Sequence, residues 1–180
     1  AEWAGRQVTN LLVDSERRAR TPNALLFEQH PSGSVLRETI TALEQHGAED
    51  VQLLFATRTD VVPALAARVR EHFERRPDST LRFGIYASGV ESFSAHELTL
   101  FNKATTPTDG VRAVNAMRAL SHELPGRFWH TGLSFLLFTP WTTLDNLALN
   151  FALIRFLGLT RKESGNIYQA RLRLHPELPL

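Results

Sequence analysis

The sequence contains no cysteine, and this absence limits the chemistry of the chain. Within these 180 residues there is no disulfide, no thiolate-bound zinc, no catalytic thiol and no cysteine-held iron–sulfur cluster. The sequence also lacks GxGxxG, P-loop, HExxH and GxSxG motifs. The common short motifs of dinucleotide binding, nucleotide hydrolysis, zinc proteolysis and acyl transfer are therefore absent.

An excess of either charge is also missing. There are 20 lysine and arginine residues and 19 acidic residues, for a formal net charge of +1. No general attraction to nucleic acid or to an anionic membrane is expected from this balance. No apolar run is long enough for a transmembrane helix, and the first residues do not have the pattern of a signal peptide. We therefore predict a cytoplasmic protein without a membrane or nucleic-acid partner.

The composition, with 43% hydrophobic and 22% charged residues, is that of a globular protein. We predict a single domain over residues 1–180, and because the chain begins with alanine we expect it to be part of a longer protein. Apolar runs alternate with helical patterns, which predicts the α/β class with a parallel sheet. The strands are predicted at residues 24–27, 51–56, 81–87, 133–138 and 170–174. The helices are predicted at residues 6–20, 34–46, 62–75, 96–101, 108–123 and 143–157.

Polar or otherwise unusual residues follow every predicted strand. In parallel α/β folds, ligands bind at the carboxyl ends of the strands, so these residues are candidates for one site. They are Glu28, His30, Arg58, Asp60, Glu91, Ser92, Phe138, Thr139, Pro140, Arg171 and Arg173. Polar side chains at strand ends are also expected simply because they meet water, and a neighbouring acid and arginine can form a structural ion pair. An unrelated hydrolase or transferase that uses Glu28, His30 and Asp60 is a further alternative.

The segment GVESFSAHELTLFNKATTP, residues 89–107, resembles the fourth-strand segment of radical S-adenosylmethionine enzymes, especially the cobalamin-dependent subgroup. The resemblance rests on Gly-Val-Glu-Ser and then on Asn-Lys before two threonines, with Ala104 in place of the usual glycine. Three more segments carry weaker resemblances. ATRTD is similar to the end of the third strand, FLLFTPWTTLDNL to the fifth strand and its turn, and LRLHPELPL to the sixth strand.

The resemblance implies a partial (βα)6 TIM-type barrel whose first strand is missing or degenerate. It implies that Glu91 and Ser92 hold the ribose and aminoacyl parts of S-adenosylmethionine, and that residues 138–140 lie near the adenine. By the same resemblance, Arg58 and Asp60 meet the cofactor or the substrate, with a mutual ion pair as the alternative. Substrate contacts are expected at Glu28, His30, Arg171 and Arg173.

The implied reaction is hydrogen abstraction by a 5′-deoxyadenosyl radical, with methyl transfer as one outcome and cobalamin as a possible second cofactor. The family holds its [4Fe–4S] cluster with a CxxxCxxC segment on the first strand, which these 180 residues do not contain. The cluster is therefore expected only if an upstream cysteine segment exists. The alternative is a barrel that binds a ligand or a protein without chemistry, and the substrate is left open. We also expect self-association through the exposed barrel edge.

Overall fold

The computed structural model describes residues 2–17, 24–27, 32–48 and 50–164. Helices and strands alternate along this part of the chain, which confirms the α/β class. The helices are α1 (Glu2–Arg17), α2 (Gly33–Gln45), α3 (Val62–Arg75), α4 (Ala95–Leu100), α5 (Pro107–Glu123), α6 (Leu144–Phe156) and α7 (Arg161–Ser164). The strands are β1 (Ala24–Phe27), β2 (Gln52–Arg58), β3 (Arg82–Glu91), β4 (Phe128–His130) and β5 (Leu133–Phe135). No helix among the described residues is long and apolar enough to cross a membrane.

All strand pairs in the sheet are parallel. Strands β1, β2 and β3 lie side by side in sequence order, and both β4 and β5 pair with β3. Strand β4 pairs with residues 83–85 of β3, and β5 pairs further along the same strand, with residues 88–91. The two short strands are therefore one interrupted fourth strand.

Gly132 makes this interruption possible. Its backbone has a φ of +72°, in the left-handed region that favours glycine. A Cβ atom at this position would lie 2.0 Å from the carbonyl oxygen of Tyr86, which is too close for any side chain. The Gly132 carbonyl also accepts a hydrogen bond of 3.1 Å from the Ser88 backbone N–H, so the chain stays attached to β3 as it changes register.

The sequence prediction of the fourth strand is only partly right. The strand predicted at residues 133–138 begins at Leu133 but ends at Phe135. Strand β4 is missed, because three residues before a glycine interruption show no usable periodicity. The strand predicted at residues 170–174 lies outside the described residues.

The hydrophobic core lies between the sheet and the helices. Burial alternates along β2: Leu53 and Phe55 are fully buried, while Leu54 and Ala56 on the other face are only half-buried. The buried residues of β2 pack with those of α3 and α5, including Leu65 of α3. One face of β2 therefore serves the core, and its other face is partly open.

Several helices begin at a serine or threonine. At each of these positions the hydroxyl oxygen accepts a hydrogen bond from the backbone N–H three residues later, which satisfies a donor that the helix itself leaves free. The capping residues are Ser32 for α2, Ser94 for α4, Thr106 for α5 and Thr143 for α6. At α5 the carboxylate of Asp109 also accepts from the Thr106 backbone N–H, which completes a capping box. Hydrogen bonds from the Thr106 hydroxyl and then from its backbone N–H lower the pKa of Asp109.

Candidate functional site

A hollow of about 670 Å³, here called the strand-end cleft, lies at the carboxyl ends of β2 and β3. This is the edge at which parallel α/β folds bind their ligands. Its lining residues come from β2, β3, β5 and the segment after α4: Ala56, Thr57, Arg58, Ala87, Gly89, Glu91, Asn102, Lys103, Ala104, Thr105 and Ser134. A second hollow, of about 410 Å³, lies between α2 and α3, and no strand residue lines it.

Glu91 is the last residue of β3, and its backbone is in the left-handed region with a φ of +62°. A side chain in this conformation costs about 1–2 kcal/mol, so the surrounding structure must hold it there. A Cβ atom at Gly89 would lie 2.7 Å from Glu91 Oε1, so the glycine leaves the space that the carboxylate needs. Only 14% of the Glu91 side chain is exposed. The strand therefore ends in a constrained carboxylate that lines the cleft.

Lys103 pairs with this carboxylate. Its Nζ donates a 3.1 Å hydrogen bond to Glu91 Oε1. The end of α4 places Lys103 there: Asn102 adopts a left-handed φ of +51°, and the Lys103 backbone N–H donates to the Leu98 carbonyl at 2.9 Å. Lys103 keeps 42% of its side chain exposed. The sequence alone favours a solvated surface lysine here, but the structure gives Lys103 a defined partner in the cleft.

Ser92 follows Glu91 but faces the interior, with 1% of its surface exposed. Its hydroxyl donates to Glu97 Oε2 at 2.6 Å and accepts from Asn150 Nδ2 at 3.0 Å. Asn150 Nδ2 also lies 3.0 Å from Glu97 Oε2, and Asn150 Oδ1 accepts from the Phe93 backbone N–H at 2.6 Å. We call Ser92, Glu97 and Asn150 the Asn150 network. The network fixes the backbone directly after Glu91. Ser92 therefore stabilises the position of Glu91 from the interior.

Glu97 and Asn150 are not among the sequence candidates, although both are fully buried. Glu97 lies within the segment that carries the family resemblance. Asn150 is a polar residue in the middle of α6, between the apolar runs LAL and FALI. A buried polar group needs hydrogen-bond partners, so an asparagine at this position in α6 was the sequence signal for a buried polar network.

Arg58 and Asp60 form a two-fold hydrogen-bonded ion pair. Arg58 Nε donates to Asp60 Oδ1 at 3.0 Å, and Arg58 Nη2 donates to Asp60 Oδ2 at 2.8 Å. Arg58 is the last residue of β2 and lines the cleft, with 61% of its side chain exposed. An ion pair this exposed contributes little to stability, about 0–1 kcal/mol. The mutual ion pair that the sequence left open is thus present, and its arginine stands at the cleft.

Three further sequence candidates lie apart from the cleft. Phe138, Thr139 and Pro140 form the turn before α6 and are not among the cleft residues. In this turn the Thr139 backbone N–H donates to Thr142 Oγ1 at 3.1 Å, and the two hydroxyl oxygens lie 2.9 Å apart. The candidate substrate residues Glu28, His30, Arg171 and Arg173 lie outside the described residues.

A second polar cluster, the Arg118 clamp, joins α5 to the turn between α6 and α7. Arg118 Nε donates to Glu163 Oε1 at 2.7 Å, and Arg118 Nη2 donates to Glu163 Oε2 at 2.9 Å. The same guanidinium donates to the carbonyls of Leu157 at 2.6 Å and Gly158 at 3.1 Å. Hydrogen bonding from Arg118, together with that from Thr160, lowers the pKa of Glu163 from 4.5 to about 2.

Metal-ligating side chains do not gather in the part of the chain that the structure describes. Among those residues, no three histidine, aspartate or glutamate side chains come together in a group that could hold a metal ion. The donor set of the strand-end cleft is a carboxylate beside amine, guanidinium, amide and hydroxyl groups. Such a set suits a polar organic ligand that carries both charges.

The described fold is that of a parallel α/β protein with a cleft at the strand ends. No family model and no curated protein matches the sequence. Among solved structures, the fold is similar to the cobalamin-dependent S-adenosylmethionine radical enzyme OxsB. The apo, selenomethionine-labelled form has a TM-score of 0.59 at 20% identity, and the form with bound aqua-cobalamin a TM-score of 0.59 at 19% identity. The similarity covers 85% of this chain but 22% of OxsB, so this chain spans about a fifth of that protein's length.

Proposed function

We propose that this chain is the barrel portion of a radical S-adenosylmethionine-type enzyme and that its strand-end cleft binds S-adenosylmethionine. The main support is Glu91, a constrained carboxylate at the end of β3 that pairs with Lys103 inside the cleft. The similarity in fold to OxsB supports the same class. We propose this function for the cleft as a whole, with the substrate left open.

The proposed architecture is a partial (βα)6 barrel. Its support is the order of the sheet, in which consecutive parallel strands are neighbours. When helices join strands in this order with the usual handedness, all the helices fall on one side of the sheet. The other side of the sheet would then line the barrel interior, and the half-buried residues of β2 fit that position.

The cleft residues fit S-adenosylmethionine in size and in chemistry. A volume of about 670 Å³ is in the usual range of roughly 300–1,000 Å³ for small-molecule sites. The Glu91 carboxylate can accept hydrogen bonds from ribose hydroxyls or from the ammonium group. Lys103 and Arg58 can donate to the carboxylate of the ligand, and the small side chains of Ala56 and Ala87 leave room for it.

The residues present do not fit the [4Fe–4S] cluster, because its thiolate ligands are absent from these 180 residues. We therefore derive no step that passes through a cluster. In this class S-adenosylmethionine would supply the 5′-deoxyadenosyl radical that abstracts hydrogen. An electron from a donor outside these 180 residues would be needed to break its C5′–S bond and release methionine, and methyl transfer would need a further acceptor such as cobalamin. The proposed contribution of this chain is to bind the cofactor, orient it and exclude water.

The first experiment is isothermal titration of S-adenosylmethionine into the purified 180-residue chain and its Glu91→Ala variant. The matched control is Glu71→Ala, which removes an exposed carboxylate on α3, outside the cleft. We expect Glu91→Ala to weaken binding tenfold or more, about 1.4 kcal/mol, and Glu71→Ala to leave it unchanged. No binding to a folded chain, or equal weakening by both variants, would contradict a cofactor site in this cleft.

A second candidate function, ligand or protein binding without radical chemistry, is favoured by the missing cluster ligands. The two candidate functions predict different iron contents for the purified protein. If the protein is isolated without oxygen in its native length, the proposed enzyme should carry the iron and acid-labile sulfide of a cluster. Binding of S-adenosylmethionine by an iron-free native product would favour the non-catalytic barrel.

A further inference from the structure

Helix α6 carries large apolar side chains on the side that it turns away from the protein as well as on the side that packs inward. On the inner face, Asn150 is fully buried and Ile154 is 7% exposed. On the outer side, Leu144 and Phe156 are each 83% exposed. A helix with large apolar side chains on both sides is normally covered on both sides. The outer face of α6 is therefore expected to meet another surface.

Exposed apolar residues are concentrated in this region. The large hydrophobic residues that are exposed among the described residues are Leu11, Leu26, Leu100, Phe138, Trp141, Leu144, Leu149 and Phe156. Five of these eight lie in α6 or in the turn before it, and the remaining three are scattered over separate elements. Exposed apolar residues gathered in one region indicate an interaction surface, whereas isolated exposed residues do not.

The sequence of α6 is symmetric about Asn150 in a way that suits its own copy. Leu144 and Phe156 lie six residues before and after Asn150, Asp145 and Arg155 lie five residues away, and Ala148 and Ala152 lie two residues away. At 3.6 residues per turn, all six point within about 60° of the direction opposite Asn150. Since Asn150 points inward, these six residues form one outward stripe. We call them the outer α6 face.

We propose that the outer α6 face binds a second copy of this chain, with the two α6 helices antiparallel about a two-fold axis. In this arrangement Asp145 comes level with Arg155 of the second copy, and the pairing occurs twice by symmetry. Leu144 comes level with the second copy's Phe156. Ala148 and Ala152 meet at the centre, where their small side chains let the helices approach closely.

The charges on the outer α6 face favour a second copy of this chain as the partner. Asp145 and Arg155 are both exposed, and neither forms an ion pair within the part of the chain that the structure describes. An acidic residue in the first turn and a basic residue in the last turn also suit the dipole of α6. The dipole accounts for one charge at each end, but not for the two alanines between them on the same face or for the exposed Leu144 and Phe156 beyond them.

The contact should be weak. Helix α6 has 13 residues, which corresponds to about 20 Å, so the two faces bury less than the roughly 1,200 Å² of a standard stable interface. We therefore expect a reversible dimer with a dissociation constant of about 1–100 μM, rather than a permanent one.

The test is sedimentation velocity of the 180-residue chain from about 1 to 300 μM, a range that spans this dissociation constant. The disrupting variant is Phe156→Asp, and the matched control is Leu100→Asp, which places the same charge at an exposed leucine that ends α4. We expect Phe156→Asp to raise the dissociation constant at least tenfold and Leu100→Asp to leave it unchanged. Circular dichroism establishes that each variant is folded.

A charge exchange tests the antiparallel geometry. Asp145→Arg and Arg155→Glu should each weaken the dimer, and the double variant should restore it, because both cross-pairs are re-formed with reversed sign. A chain that stays monomeric at all concentrations from about 1 to 300 μM would overturn the proposal. The outer α6 face would then be covered by another part of the polypeptide. A further variant, Leu26→Pro, removes a backbone N–H from the edge strand β1. A dimer that is lost in Leu26→Pro but kept in Phe156→Asp would also overturn the proposal, and it would place self-association at the sheet edge.

Discussion

Two polar clusters join distant parts of this chain, and they use their hydrogen bonds differently. In the Arg118 clamp, the guanidinium nitrogens of Arg118 and both carboxylate oxygens of Glu163 are hydrogen-bonded to groups of the chain itself. The Asn150 network is also bonded within the chain, although Glu97 Oε1 is buried without a hydrogen-bond partner among the described residues. Glu91, the residue that this network supports, is paired less completely. Only Oε1 of Glu91 is bonded within the described part of the chain, by the exposed Lys103. A closed cluster holds the fold together, whereas a supported but open carboxylate is available to a ligand.

Breaking the Asn150 network should have the largest effect on stability. Asn150→Leu removes the acceptor of the Phe93 N–H and a donor to the buried Glu97, leaving polar groups unpaired in the interior. We expect the free energy of unfolding to fall by about 2–4 kcal/mol. The measurement is urea denaturation, with Asn115→Leu, an exposed asparagine on α5, as the control. A loss no larger than that of the control would mean that the network does not fix this region.

The Arg118 clamp should show itself in the pH dependence of stability. The pKa of Glu163 is lowered from 4.5 to about 2 in the folded protein. Its contribution is therefore fully present above about pH 4.5 and is lost as the pH falls towards 2. Because the pair is partly exposed to solvent, we expect the stability gap between the unmodified chain and Glu163→Gln to shrink by about 1–2 kcal/mol across this window.

The measurement for the clamp is urea denaturation of both chains at several pH values from about 7 down to 2.5. Further carboxylates also titrate here, among them Asp109, so only the difference between the two chains is informative. Glu71→Gln, at an exposed position of α3, supplies the reference. A gap that stays constant as the pH falls would show that Arg118 does not hold the Glu163 carboxylate in its charged form.

Glu91→Gly should have the smallest effect on stability and a large effect on the cleft. Glycine relieves the left-handed backbone at Glu91, while the loss of the Lys103 pair works in the opposite direction. We expect the free energy of unfolding to change by less than about 1 kcal/mol. S-adenosylmethionine binding, followed by titration, should be lost. A variant that is strongly destabilised would mean that Glu91 serves the fold rather than the cleft.

Much of the fold could be predicted from the sequence, because its longer elements have clear periodicity. The helix predicted at residues 62–75 matches α3, and the first three strands lie where their apolar runs predict them. The interrupted fourth strand could not be found, because its register depends on the space beside the Tyr86 carbonyl. That space exists only once β3 and the glycine lie side by side.

The candidate site was predicted less completely. Strand ends singled out Arg58 and Glu91, and both residues line the cleft. Ser92 turns inward because the alternation at the end of β3 continues past Glu91: Val90 is buried, Glu91 is half-buried and Ser92 is buried again. No local pattern could bring Asn150 to Ser92, since the two are separated by 58 residues and meet only when α6 packs on the sheet.

The sequence by itself determined the α/β class, the missing thiolates and the strand ends as the place to look for a site, since these depend on composition and local periodicity. The tertiary structure decided which polar residues open onto the cleft and which are closed into the interior. The physical reason is that a side chain's hydrogen-bond partners come from distant segments. That Glu91 faces the cleft and Glu163 faces an arginine is therefore fixed only when those segments pack together.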